Sequence, residues 1–297
     1  MDLIAHLKIF IDIADHGSLA GAARARNMAP SAITASLRRL EAHLGAQLVM
    51  RSTRKLALSQ EGAQFLDHAR HIVRDLEDAC DQVARTGALR GAIRISSLSD
   101  FGRTTLPKHI DAFLALHPNV RFELNLDDRV VDLIDGGYDI AIRTGPLVDS
   151  RLKARLIAHA GRSVCAAPGY WKSRGKPVKP TDLKTHNCLV LSRAGAPQAS
   201  WRFVENDLPV AVDVGGDRMA SDGGLLRQWA VAGAGVVLKS DYDVQEDLAA
   251  GRLETALDDY KEQDINIYAV HSASRYLSRR AKLFLDFLAQ ACADNVG

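Results

Sequence analysis

A chain of 297 residues with 47% apolar content is long enough for a small domain plus a larger one, and a formal charge of +2 rules out a globally polycationic or polyanionic protein. No apolar run approaches the length of a bilayer span, and the N-terminal MDLIAHLKIFIDIADHG follows helical spacing rather than a signal-peptide core, so a cytoplasmic protein without membrane contact is expected. Cys80, Cys165, Cys188 and Cys292 are too widely separated for a zinc or Cys-x-x-Cys motif and are expected to be reduced thiols.

The densest signal lies in residues 18–62. Gly21, Ala22 and Ala23 give a first short helix a small-residue face, with Asn27 as its stop. Pro30 suits the first position of a second helix, and Gly45 suits the left-handed residue past its end. Ile33, Leu37, Leu40 and Leu44 recur at helical spacing and predict a buried stripe. That leaves Pro30, Ser31, Thr34, Ala35 and Arg38 on a short, polar, cationic face suited to a major groove. Over residues 18–58 the cations Arg24, Arg26, Arg38, Arg39, Arg51, Arg54 and Lys55 stand against the single acid Glu41, a local charge of +6. A solvated helix surface is the plainer explanation of such a run. The helix pair, its marked ends and a following basic hairpin carrying Arg51, Arg54 and Lys55 favour phosphate neutralisation on double-stranded operator DNA.

Gly17-Ser18-Leu19, Ala22-Ala23, the run Ser31 to Thr34, Leu40-Glu41-x-x-Leu44-Gly45-x-x-Leu48 and Arg51 through Gly62 resemble the N-terminal domain of LysR-type transcriptional regulators. The resemblance extends over essentially the whole chain. It implies an all-α winged helix-turn-helix N-terminal domain, a long dimerisation helix, and an α/β, two-lobed, periplasmic-binding-protein-like effector domain. The chain departs from the family pattern at Arg26, usually a buried leucine, at Ala29, often a capping serine, and at Ala35 and Ser36, often Arg and Gln. Loss of a cap typically costs about 1 kcal/mol.

From Ser59 to Thr86 there is no Pro and no Gly after Gly62, and two heptad series interleave: Leu66, Val73, Cys80 and Ala69, Leu76, Val83. They predict a narrow seam on one long helix. Phe65, Ile72 and Ala79 widen the stripe, so part of it is expected to pack on the N-terminal domain. The plainer explanation of the seam is a core helix within one subunit; the resemblance instead implies antiparallel pairing of this helix between subunits, in a homodimer or homotetramer, with RNA polymerase as a further candidate partner.

After TGALRG the pattern alternates strands and helices, which argues for a parallel or mixed sheet. GAIRISSLS predicts a strand and its exit, FGRTTLPKHIDAFLALHP one helix ended by Pro118, VRFELNLDD a strand, VVDLIDGG a helix and YDIAIRTG another strand. RSVCAAP, CLVLS, a helix through LLRQWAVAG, the strand GVVLKS, INIYAVHS and a final helix around Ser278 to Ala291 follow. The expected layout is residues 1–58 for DNA binding, 59–88 for the linker helix and 91–297 for the effector domain. Its first lobe would span about 91–161 and 268–297 and its second about 162–267, with crossings near Gly161 and Ile265 as the resemblance implies.

Ligands of open α/β sheets gather at the carboxyl ends of strands. The exit of the first strand offers Ser97, Ser99 and Asp100, and the exit of YDIAIRTG offers Arg143 and Thr144. Ser221 and Asp222 resemble the family's cleft-facing loop. Helix caps and structural ion pairs are the plainer roles for these side chains. Together, hydroxyls and an arginine favour an anionic effector, a carboxylate. No His-Glu-x-x-His, Gly-x-Ser-x-Gly or phosphate-loop motif is present, so no catalytic residues, metal or cofactor are assigned. His68 and His71 share a helix face without a third ligand nearby. An α/β enzyme and an architectural DNA-binding dimer are the alternatives to an effector-responsive regulator.

Overall fold

The computed structural model describes residues 2–51, 56–83, 87–128, 137–145, 151–262, 265–273 and 277–293, and divides into two compact units, Met1–Gly87 and Ala88–Gly297.

In the first unit, α1 (Leu3–His16), α2 (Leu19–Arg26) and α3 (Pro30–Leu44) are followed by an antiparallel pair, β1 (Val49–Arg51) and β2 (Leu56–Leu58), and by α4 (Gln60–Val83). Local chemistry sets each boundary. Ser18 caps α2 by accepting from Gly21 N at 3.0 Å, and Asn27 ends it at φ +53°. Pro30 opens α3 behind the uncapped Ala29, and Gly45 closes it at φ +68°. Phe10, Ile13, Ile33, Leu37 and Leu40 form the core with Ala22 and Ala23. The stripe on α3 stops at Leu40, contrary to expectation. Leu44 is 38% exposed, and Leu48 and Val49 of the following segment complete that core instead. Gly62 admits a close approach, since a Cβ there would run into the Leu48 carbonyl.

The second unit is the two-lobed α/β part. Its first lobe opens with β3 (Gly91–Ser97), α5 (Ser99–Thr104), α6 (Leu106–Leu116), β4 (Val120–Leu126), β5 (Ile140–Thr144) and β6 (Leu152–Ala158). The single helix expected over residues 101–118 is broken at Thr105. Pro107 has no N–H for the i−4 carbonyl, so a fresh helix starts with Pro107 in its first turn. The helix expected over VVDLIDGG lies largely outside the described residues.

The second lobe holds β7 (Arg162–Ala166), α7 (Pro168–Arg174), β8 (Val190–Arg193), β9 (Ala196–Pro197), the hairpin β10 (Ser200–Glu205) and β11 (Leu208–Asp213), β12 (Met219–Ala220), α8 (Gly223–Val231), β13 (Val237–Ser240), α9 (Asp241–Ala249) and β14 (Glu254–Ala256). The chain then returns through β15 (Ile267–Ser272) and α10 (Arg279–Ala293) to the first lobe. There the order is β4-β3-β5-β15-β6, with β3 parallel to β4 and β5 and with β15 antiparallel to β5 and β6, a mixed sheet. Phe113 and Phe284 meet edge to face on it, 5.2 Å between centroids. In the second lobe β7 sits between antiparallel β13 and β14. The two crossings run side by side, since Ile265 N donates to the Ala160 carbonyl at 3.0 Å. No helix among the described residues is long and apolar enough to cross a membrane.

Candidate DNA-reading helix and effector cavity

On α3, Ile33, Ser36, Leu37 and Leu40 turn inward, and the Ser36 hydroxyl meets the His6 ring nitrogen at 2.6 Å. Pro30, Ser31, Ala35 and Arg38 are exposed and Thr34 is half-buried. The Thr34 hydroxyl donates to the Pro30 carbonyl at 2.9 Å, so its methyl is left as the group it can offer. Glu41, the one acid of the segment, accepts from the Leu48 and Val49 amides at 2.9 and 3.3 Å and thereby anchors the hairpin. Among the cations, Arg26 is paired with Asp12, so the leucine-to-arginine departure is neutralised locally. Arg51 lies in β1, its side chain outside the described residues, as are Arg54 and Lys55 altogether.

The heptad reading of α4 needs correction. Leu66, Ala69 and Val73 are buried within their own unit's core and offer no free seam. Among the described residues, the C-terminal half of α4 leaves Ile72, Leu76, Ala79 and Cys80 exposed, at i, i+4, i+7 and i+8. The Val83 side chain lies outside the described residues.

The seven expected effector residues do not converge. Ser97 is fully buried, its hydroxyl donating to the Leu98 carbonyl at 3.1 Å. The Ser99 amide donates to Asp128 at 2.9 Å, Thr144 is paired in register with Ile267, and Ser221 is exposed. Arg143, assigned to the effector's charge, instead donates to the carbonyls of Ile142 and Ser96 at 2.8 and 3.3 Å and to the Ser96 hydroxyl at 2.7 Å. Burial moves its pKa down, with Asp127 and Asp128 opposing. It is placed as a clamp between β5 and β3.

Asp100 and Asp222 do reach the border between lobes, each in an ion pair. Arg103 on α5 binds Asp222 with both terminal nitrogens, at 2.8 and 2.6 Å, while Asp222 also caps α8 through Leu225 N at 3.0 Å. Lys239 of β13, 5% exposed, pairs with Asp100 and lies 2.8 Å from Asp243 Oδ2. That second contact is close enough for charge attraction but misaligned for a hydrogen bond, and Oδ1 of Asp100 is buried with no hydrogen-bond partner among the described residues. A Cβ on Gly223 would come within 2.6 Å of the Lys239 ammonium, so a larger residue at the start of α8 would have to displace the pair.

Two cavities adjoin these pairs. The larger, about 660 Å³, is lined by Arg103, Asp222, Arg227, Asp243 and Asp247, charges that mostly neutralise one another. The smaller, about 120 Å³, has Asp100 and Lys239 on its wall with Arg162, Arg193, Gln198 and Ser200. Arg162 forms no salt bridge among the described residues; burial and the neighbouring Arg193 move its pKa down, Glu262 partly opposing. A half-buried cation without a salt bridge, beside hydroxyl and amide groups, is the more suitable anion seat, despite the smaller volume. Sequence reasoning missed it, although Arg162 directly follows the crossing at Gly161 and Lys239 is a lone cation in the apolar run GVVLKS.

A winged helix-turn-helix followed by a two-lobed α/β unit with a polar cavity at the lobe border defines a ligand-responsive DNA-binding regulator. Residues 4–63 match the family described as bacterial regulatory helix-turn-helix protein, lysR family, and residues 86–293 match the LysR substrate binding domain, so the chain belongs to the LysR-type transcriptional regulators. It is 29% identical to the HTH-type transcriptional regulator DmlR of Escherichia coli K12 over 99% of this chain and 96% of that protein. It is likewise 29% identical to the transcriptional activator TtdR of the same strain, over 99% and 95%. The solved structure of CrgA, a LysR-type regulator from Neisseria meningitidis, superposes with a TM-score of 0.64 at 29% identity, covering 97% of this chain and 98% of that one.

Proposed function

We propose that this regulator reads its operator with the exposed face of α3 and answers to a small carboxylate seated in the 120 Å³ cavity, with Arg162 as its counter-ion. Arg38 and the methyl of Thr34 reach base edges or nearby phosphates, Pro30, Ser31 and Ala35 shape the approach, and Arg51, Arg54 and Lys55 bind the backbone. The exposed stripe Ile72, Leu76, Ala79 and Cys80 pairs α4 with a second copy, which presents two reading helices to a two-fold operator. RNA polymerase is the partner through which a DNA-bound oligomer would act on transcription.

The carrying observation is Arg162, a half-buried cation on the cavity wall with no salt-bridged carboxylate among the described residues. The cavity holds about four waters at ~30 Å³ each, the size of an acid of a few carbons. Binding there, on the lobe border, shifts the balance between two lobe arrangements by no more than its differential affinity for them. The test is a panel of small organic acids screened for thermal stabilisation, then calorimetry of the best binder against Arg162→Ala. A charge-assisted bond of about 1.5–3 kcal/mol predicts at least a tenfold loss of affinity with basal operator binding retained. Stabilisation by cationic or neutral compounds alone would refute the assignment.

A further inference from the structure

The wall of the small cavity carries a charge arrangement that a bare anion site does not need. Asp100 presents one oxygen to Lys239 and keeps the other, Oδ1, buried without a donor. Lys239 is shared with Asp243, itself 3% exposed, so two carboxylates compete for one ammonium. The charges facing Asp100 come from every element around it: Lys239 on β13, Asp243 on α9 with Tyr242 beside it, Asp128 after β4, and Arg103 on α5 itself. Arg227 of α8 lies beyond Asp243, 3.5 Å from its Oδ1, and is held more closely by Asp247 at 2.5 Å. Arg162 and Arg193 complete the cavity wall.

An anion entering between Arg162 and Lys239 brings a further negative charge beside a carboxylate whose Oδ1 can only accept. Like charges held together out of water raise the cost of ionising either one. A proton from solvent on Asp100 removes the repulsion, and Oδ1, which has no partner among the described residues, is the oxygen free to take it. Building on the anionic reading of the site, we propose that the cavity takes up its anion together with one proton, carried by Asp100. Burial already holds the Asp100 carboxyl above its usual range, with Asp243 and Asp128 reinforcing and Lys239 opposing. The regulator would then respond to acidity and to its effector jointly, through one cavity.

The experiment uses the full-length protein and oxalate, already fully ionised near neutral pH, with sulfate as a non-carboxylate anion. Calorimetry between about pH 6 and about pH 8, in buffers of different ionisation enthalpy, counts protons taken up per anion bound. One proton is expected. Affinity should fall about tenfold per pH unit between the titration of Asp100 in the free protein and its higher titration in the complex, and Asp100→Asn should bind without uptake and with a flat pH profile. An infrared difference spectrum gives the same reading on the wild type, where a protonated-carboxyl band should appear on oxalate binding. Binding without proton uptake, or uptake that survives in Asp100→Asn, overturns the proton and leaves the anion site standing. Failure of oxalate and sulfate to bind, or binding indifferent to Arg162→Ala, overturns the site and the proton with it.

Discussion

Arg103 and Asp222 face each other as a parallel, two-bond pair, Nη1 to Oδ1 at 2.8 Å and Nη2 to Oδ2 at 2.6 Å, joining α5 of the first lobe to the cap of α8 in the second. Both side chains are over 40% exposed, so the pair itself contributes under about 1 kcal/mol to stability. Asp222 has a second task at the N-cap. Asp222→Asn, which keeps a capping side chain, should lower stability only slightly, whereas Asp222→Ala should cost about 1 kcal/mol more through the lost cap. The hydrogen bond from Arg103 holds the Asp222 carboxyl below its usual range. A carboxylate depressed in the fold contributes stability above its unfolded titration and loses it as pH falls through the folded value. The gap between wild type and Asp222→Asn in urea unfolding should therefore close only in the acid range; a gap that widens there would exclude the pair as its source.

Lys239 is a different case, because almost nothing of it or of Asp243 reaches solvent. Lys239→Met removes the only cation that Asp100 is salt-bridged to among the described residues and leaves two carboxylates buried beside each other. Breaking a buried pair from one side costs about 3–5 kcal/mol. Asp100 is raised, not lowered, so its ionised form is a liability above its folded titration that is relieved as pH falls through it. The deficit of Lys239→Met should consequently shrink on acidification. Equal deficits at acid and neutral pH would show that Asp100 does not take up the proton.

The N-terminal unit was legible because its signals are local. Asn27, Pro30 and Gly45 each determine a helix boundary through their own backbone chemistry, and they do so in the structure. Leu44 misled because periodicity describes one helix and cannot say how far its neighbours extend; Leu48 and Val49 take the next place in the core. The same limit applies to α4, where one stripe serves two faces: Leu66, Ala69 and Val73 inward, Ile72 and Leu76 outward. At the cavity, Asp100 and Lys239 are 139 residues apart. Only the crossing of the chain between lobes brings them together, and no motif spacing encodes that. Arg143 was plausible on sequence because it exits a strand, yet the neighbouring strand supplies acceptors at Ser96 that claim its donors.

Arg38 is exposed on the outer face of α3, beside Thr34 and Ala35. Arg38→Ala should leave the melting temperature within experimental error while weakening operator binding by about 1–3 kcal/mol if the side chain reads a base. Gel-shift titrations across salt concentrations separate the two modes of contact. A base contact costs specific binding with the salt slope unchanged, and a phosphate contact lowers specific and random binding together with a shallower slope. Wild-type affinity at every salt concentration would remove α3 from the groove.

The division of α4 into inward and outward residues makes a paired prediction from one helix. Val73 is 8% exposed and packs in the core with Leu7, Phe10 and Leu66, whereas Leu76, one turn on, is 42% exposed. An aspartate at position 73 would bury an unpaired charge, so Val73→Asp should unfold the first unit and abolish binding to any DNA. An aspartate at 76 costs the isolated unit little, since that side chain already meets water. If the outward stripe pairs two copies, two such charges would confront each other across the seam, and Leu76→Asp should sediment as a folded monomer that engages one half-site without cooperativity. Analytical ultracentrifugation with far-ultraviolet circular dichroism distinguishes the outcomes. A folded Leu76→Asp protein of unchanged mass would place the contacts between copies elsewhere, while a Val73→Asp protein that stays folded would contradict the packing of α4 onto its own domain.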